Sequence, residues 1–206
     1  MDRQSPRPDI LVYDLGKVLV EFDWMIVVNR LAEKTGKTIS DFQQLLTNPK
    51  LLLDYESGKL TTQQFFKRVQ EMIGYEDTLD SFKQDFGDMF TENTQMTDLQ
   101  KQIRSSGTPT FILSNTNEIA IDFIKKKFPF FGNFDGYIYS YVEMSMKPEE
   151  KIYRAIERIS GKSGHQIAFI DDNQANVEGA KVLGWTAHQH TSYESTKDFF
   201  KSIGLL

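Results

Sequence analysis

The sequence predicts an α/β fold: a Rossmann-like parallel sheet core flanked by helices, with an inserted all-helical segment. Three observations predict it. From about Thr97 onward, apolar strand-like runs alternate with amphipathic helical runs, the pattern of a parallel sheet covered on both faces. The run "ILVY" at residues 10–13 has the same strand texture far upstream. Between them, from Trp24 to about Phe90, the periodicity is helical throughout. The core is therefore expected in two pieces, residues 1–22 and 93–206, with residues 23–92 as the insertion.

Taken in order, Ile10 to Tyr13 form a strand that ends on a carboxylate, Asp14, and turns at once at Gly16. Trp24, Val27, Val28 and Leu31 lie on one helical face, and Gly36 can stop that helix. "SDFQQLL" opens with a Ser40/Gln43 capping box ahead of Phe42, Leu45 and Leu46. "TTQQFFKRVQEMIG" repeats the device, with Thr61/Gln64 as cap, Phe65, Val69, Met72 and Ile73 as stripe, and Gly74 as stop. "LDSFKQDF" adds Leu79, Phe82 and Phe86. These aromatic stripes read as core.

Farther on, "TPTFILSN" is a strand and "NEIAIDFIKKKF" a helix whose lysines form a solvated end. "GYIYS" is a short strand, and "PEEKIYRAIERISG" is a helix with Pro148 near its start. Strand "HQIAFID", with His165 capping it, precedes helix "ANVEGAKVLG" and a short strand near "WTAHQ". "YESTKDFFKSIG" is the last amphipathic stretch. His188 and His190 share one strand face but have no third histidine or cysteine for a zinc site. "GKSG" at 161–164 follows a helix and lacks the lead of a P-loop.

Composition excludes several classes. With 206 residues the chain can bury roughly 70% of its unfolded surface in one compact domain. It has no cysteine, which removes disulfides, thiolate metal sites and thiol nucleophiles. The formal charge of −5 disfavours nucleic acid and anionic membranes as partners. No apolar run approaches the ~20 residues of a membrane span. The opening "MDRQSPRPD" lacks an apolar core and reads as a disordered lead-in, not a signal peptide. A cytoplasmic protein is the expectation.

The chemistry is expected at the carboxyl ends of the strands, where parallel α/β sheets bind ligands. Asp14, then Ser114 and Asn115, then Asp171 and Asp172 stand at three strand ends, and Lys147 stands just before a helix. Any one of them has a bland reading as a cap or surface charge. Four sets in one register make coincidence a poor account. Three close carboxylates repel by about 4 kcal/mol per pair at an effective dielectric near ~20. They call for a cation, and an all-oxygen set suits Mg²⁺. Ser114 and the backbone N–H groups at 115 and 116 read as a phosphate cradle at a helix start. Lys147 supplies a point charge for the same group. Asp14 is left facing the phosphorus, as a nucleophile able to form an aspartyl-phosphate.

Asp14 in "VYDLGKVL", Ser114 in "ILSNTN", Lys147 in "MKPEEKIY" and the acidic pair in "FIDDNQANVEGA" resemble the four motifs of haloacid dehalogenase-like hydrolases. The resemblance covers nearly the whole chain, and the insertion matches that family's helical cap. "DLG" and "YESGKLTTQQFF" are most similar to the sugar-phosphatase branch that includes α-glucose-1-phosphate phosphatases. The phosphatase domain of epoxide hydrolases is also similar. The resemblance implies a Mg²⁺-dependent phosphatase acting on a small phosphorylated metabolite, with a sugar phosphate as the expected substrate. It makes Asp14 the nucleophile, with Asp14, the Gly16 carbonyl and Asp172 as direct Mg²⁺ ligands and Asp171 assisting through water. Ser114, Asn115 and Lys147 become the phosphate clamp.

Most phosphatases of this superfamily carry a second Asp at the position of Gly16, which protonates the leaving alkoxide and later activates water. Such help is worth roughly 10²–10⁴-fold. Glu21, Asp23 and Glu56 are the candidates to replace it, although each also reads as a helix cap or solvated charge. If none does, rates should depend steeply on leaving-group basicity. Three other readings compete. A haloacid dehalogenase attacks carbon and needs no metal, so Asp171 and Asp172 would burden it. A signalling receiver places its acidic pair after the first strand, the reverse of the order here. A silent phosphate-binding scaffold would explain Gly16. Lys147→Ala is expected to cost orders of magnitude in rate and leave the fold intact, since a strand-end lysine supports little packing.

Overall fold

The structure, a computed structural model, describes residues 7–42 and 49–206. Strands β1 (Ile10–Tyr13), β4 (Thr110–Ser114), β5 (Gly136–Tyr139), β6 (Ile167–Asp171) and β7 (Thr186–Gln189) form a parallel sheet in the order β5-β4-β1-β6-β7. β1 takes the centre because all four of its side chains are large, apolar or aromatic, and buried. Successive side chains point to opposite faces. Leu11, Tyr13, Ile112 and Ile170 enter one apolar cluster, whereas Ile10, Val12, Leu113 and Phe169 enter a second. Burial on both faces is why these strands read as unbroken apolar runs.

Two further strands, β2 (Val20–Phe22) and β3 (Phe90–Glu92), pair antiparallel as a separate ribbon, with Val20 opposite Glu92 and Phe22 opposite Phe90. At three residues each, they leave no period for the sequence to display. Between them lie helices α1 (Trp24–Thr35), α2 (Pro49–Glu56), α3 (Thr62–Ile73) and α4 (Leu79–Gly87). Asp23 caps α1 and Gly36 ends it in the left-handed conformation. Thr61 and Gln64 form the expected capping box on α3, and Gly74 closes it. Phe65, Val69, Ile73, Phe82 and Phe86 are buried as expected, but Met72 is exposed. Phe66 takes its place in the core, packing on Phe82 at 5.1 Å. Of the capping box expected at Ser40 and Gln43, Gln43 lies outside the described residues, as do Leu45 and Leu46. Residues 1–6 of the expected lead-in also lie outside them.

Gly58, two residues past α2, has φ of 75°. A Cβ there would stand 2.3 Å from the Tyr141 carbonyl oxygen. Both the dihedral and the backbone approach exclude a side chain. Gly58→Ala is expected to cost more than ~1 kcal/mol in unfolding free energy, measured by urea denaturation.

The remaining helices are α5 (Thr94–Ser105), α6 (Glu118–Lys127), the single turn α7 (Ser140–Glu143), α8 (Glu150–Ser160), α9 (Gln174–Val182) and α10 (Tyr193–Ser202). α5 occupies a stretch where the sequence suggested only a change of texture. Its buried Met96, Leu99 and Ile103 show helical spacing that surrounding polar residues obscure. Lys127 at the end of α6 pairs with Asp88 at 2.7 Å instead of being merely solvated. No helix of the described residues is long and apolar enough to cross a membrane.

Candidate active site

The sheet register brings the strand-end residues together. Tyr13 lies beside Ile170 on β6 and Ile112 on β4, so Asp14 emerges level with Asp171 and close to Ser114. The Asp14 N–H donates to the Ile170 carbonyl at 2.9 Å, which extends the pairing one residue past β1. The turn that follows departs from the sequence reading. Its left-handed residue is Lys17, with φ of 60°, and not Gly16.

Lys147 is the centre of the site. Its Nζ lies 2.8 Å from Asp14 Oδ1 and 2.6 Å from Asp171 Oδ2, and it donates to the Leu113 carbonyl at 2.8 Å. The residue is only 4% exposed. The expectation that it supports little of the fold is therefore overturned: it is a buried cation between two buried carboxylates. Burial opposes its charge, but Asp14 and Asp171 outweigh that and hold its pKa above the ordinary lysine value.

Asp14 Oδ1 also accepts from the Leu15 N–H at 2.7 Å, so both of these contacts fall on one oxygen. The other, Oδ2, lies outside both contacts. Burial pushes the Asp14 carboxyl up to about 7, with Lys147 pulling against it and Asp171 adding to it. Asp171 is wholly buried. Besides Lys147 it accepts from the Asn173 N–H at 2.8 Å and from Asn176 Nδ2 at 3.0 Å. Asn176 was not singled out in the sequence, although its place in the first turn after the acidic pair was a usable signal. Asp172 is partly buried, and burial followed by the neighbouring Asp171 raises its pKa.

Asp14, Asp171 and Asp172 each offer a ligand oxygen, and these atoms lie within 4.8 Å of one another. With all three ionised and Lys147 charged, the cluster carries two net negative charges, which a divalent cation balances. Oxygen donors of this kind, with Asp14 Oδ2 outside the lysine's grip, suit Mg²⁺. The residues fit that ion.

The phosphate cradle differs in detail from expectation. Ser114 is buried at the end of β4, but the Thr116 N–H already donates to Ser140 Oγ at 2.9 Å. Asn115 spends its side chain on the Lys147 backbone, donating from Nδ2 to the carbonyl at 2.9 Å and accepting the N–H at 2.8 Å. It holds the lysine in place. The helix begins only at Glu118, capped by Asn117.

A cavity of about 80 Å³ adjoins these strand ends. Gly16, Ser114 and Asn115 border it on one side, Phe22 and Trp24 on another, and Glu56 reaches it from the end of α2. Of the three candidate replacement acids, Glu21 is exposed and paired with Lys17 at 3.1 Å. Asp23 accepts from the Met25 N–H at 2.8 Å as the cap of α1. His188 and His190 are bound to Ser195 at 3.0 Å and Thr196 at 2.7 Å, so they tie β7 to α10. His165 sits in a 3₁₀ turn just ahead of β6.

The family model described as haloacid dehalogenase-like hydrolase matches residues 29–184. A D-ribitol-5-phosphate phosphatase of Bacteroides thetaiotaomicron is 26% identical over 187 residues, covering 87% of this chain and 90% of its own. A sesquiterpene phosphatase of Aspergillus oryzae is 22% identical over 175 residues, covering 84% and 85%. Among solved structures, a HAD family enzyme of Bacteroides thetaiotaomicron in complex with magnesium and inorganic phosphate superposes with a TM-score of 0.75. It is 24% identical, and the match covers 88% of this chain and 93% of that one.

Proposed function

We propose that this chain, which belongs to the haloacid dehalogenase-like hydrolase family, is a Mg²⁺-dependent phosphatase that hydrolyses a small phosphomonoester through an aspartyl-phosphate on Asp14. The observation that carries the reading is the cluster of Asp14, Asp171 and Asp172 around buried Lys147. The curated relatives above are both phosphatases by name, which supports it.

In this reading Asp14 Oδ2 attacks phosphorus in line with the departing ester oxygen. Lys147 steers a phosphoryl oxygen and, through its contact to Oδ1, fixes the attacking carboxylate. Asp171 and the Asn115 side chain hold Lys147 itself. Ser114 Oγ and the Asn115 N–H donate to the phosphoryl oxygens. Asp14, the Gly16 carbonyl and Asp172 would hold Mg²⁺, with Asp171 assisting through water. When bound, the ion supplies charge neutralisation for the phosphoryl group. A sugar or polyol phosphate is the substrate class, its carbon face lying on Phe22 and Trp24. Localisation in the cytoplasm accords with a chain free of cysteine.

The test is a screen of phosphorylated metabolites with Mg²⁺ and with excess chelator. Turnover is expected only with the ion, and full activity in chelator would favour attack at carbon instead. Mg²⁺ should also stabilise the fold. At a hundredfold excess over its dissociation constant, linkage gives ~2.7 kcal/mol. For a chain of this size that is a rise of about 5–10 °C in the unfolding midpoint by calorimetry. Asp172→Asn should abolish most of that rise.

A further inference from the structure

We propose that Glu56, carried by the helical insertion, is the general acid and base that Gly16 cannot be. The proposal rests on the phosphatase reading above. A side chain at position 16 would project against the ring of Phe22. A Cβ on Gly16 would stand 3.1 Å from Cε1 of Phe22, so the aromatic ring occupies the path of a longer side chain. Across the cavity, Glu56 faces the same space that Gly16 and Ser114 border.

Its backbone is pinned there twice. Ser140 Oγ donates to the Glu56 carbonyl at 2.6 Å while accepting the Thr116 N–H, which ties the end of α2 to the loop that follows Ser114. Gly58, packed against the Tyr141 carbonyl, holds the chain just beyond. Such fixed backbone is what an acid positioned to within a few tenths of an ångström needs. Burial pushes the Glu56 carboxyl up to about 7, against the opposing pull of a hydrogen bond to the Asn117 side chain. At neutral pH it can therefore both give and take a proton. Glu21 and Asp23, engaged with Lys17 and with the α1 N-terminus, are committed elsewhere.

The proton balance closes over two steps. As Asp14 Oδ2 bonds to phosphorus and the ester P–O bond breaks, the Glu56 O–H proton passes to the leaving oxygen, which departs as the alcohol. Water then bonds to phosphorus through its oxygen and loses a proton to the Glu56 carboxylate. The bond from phosphorus to Asp14 breaks, leaving Asp14 ionised, Glu56 protonated and inorganic phosphate free.

Glu56→Gln tests this, because glutamine keeps the size and the Asn117 partner but cannot exchange the proton. Wild type and variant are compared, at saturating Mg²⁺, on phosphate esters of graded leaving-group pKa. The wild type should show a shallow dependence. The variant should lose ~10²–10³-fold in kcat/KM on alkyl esters and far less on 4-nitrophenyl phosphate, whose leaving group needs no proton. With that ester it should release a burst of about one nitrophenolate per enzyme, since hydrolysis of the intermediate has lost its base. An equal loss across the series, or no loss, overturns the proposal. The phosphatase reading itself fails by a different result, namely wild type and Asp14→Asn turning over the esters equally.

Discussion

Asp14→Asn is expected to reduce Mg²⁺-dependent phosphate release to background while the protein folds normally. Asparagine keeps an oxygen able to accept from the Leu15 N–H and from Lys147, so the packing around the strand end survives. What disappears is the proposed nucleophile. Removing the attacking group from a covalent mechanism costs on the order of 10⁴–10⁶-fold in kcat. Stability should be unchanged or higher, because the wild-type carboxylate is held in a buried place that disfavours its charge. Phosphate release and thermal unfolding, measured on the same preparation, check both halves. Retained turnover with an intact fold would remove Asp14 from the chemistry.

Lys147→Ala should fail on both counts. It removes the charge proposed to steer the phosphoryl group, and it also leaves Asp14 and Asp171 buried side by side without their shared cation. Taking one partner from a buried ion pair costs about 3–5 kcal/mol. For a protein of this length that lowers the unfolding midpoint by roughly 10 °C. A second substitution separates the effects. Lys147→Ala combined with Asp171→Asn discharges one of the stranded acids and should recover much of the stability but none of the rate. If Lys147→Ala alone unfolded at the wild-type temperature, the buried triad would not be the electrostatic unit described here.

The comparison of these two residues also shows how far the sequence reaches. Asp14, Ser114, Asp171 and Asp172 could be picked out because parallel strands place their last residues at one edge, and each strand was visible as an apolar run. Lys147 could be picked out as a chemical type in the right order, but nothing in "MSMKPEEK" reveals that it is buried. That follows from three partners on three other segments. The sequence reads Asn115 as a phosphate ligand, whereas its amide is spent on the lysine's backbone 32 positions away. Nothing in the sequence marks Ser140. Its hydroxyl links residues 24 and 84 positions distant, and no local pattern encodes that. The ribbon of β2 and β3 was missed because its strands are shorter than the period needed to see them. Glu56 stood among three acids of equal standing until the fold gave the other two local partners.

That ribbon has a bearing on descent. Because Val20 to Phe22 and Phe90 to Glu92 run side by side, the chain leaves the sheet and returns to it at one spot. The ends of everything between already touch, and closing a longer or shorter stretch changes the cost by only ~0.6 kcal/mol per doubling. In a relative whose acid sits next to its nucleophile, such a stretch is free to be lengthened, trimmed or swapped, altering which alcohol is accepted and nothing else. Here the proton donor rides on the exchangeable part. A recombinant that received a foreign insertion at this ribbon would inherit a new preference for substrate and, unless a carboxylate arrived at the same place, would lose its means of releasing the product.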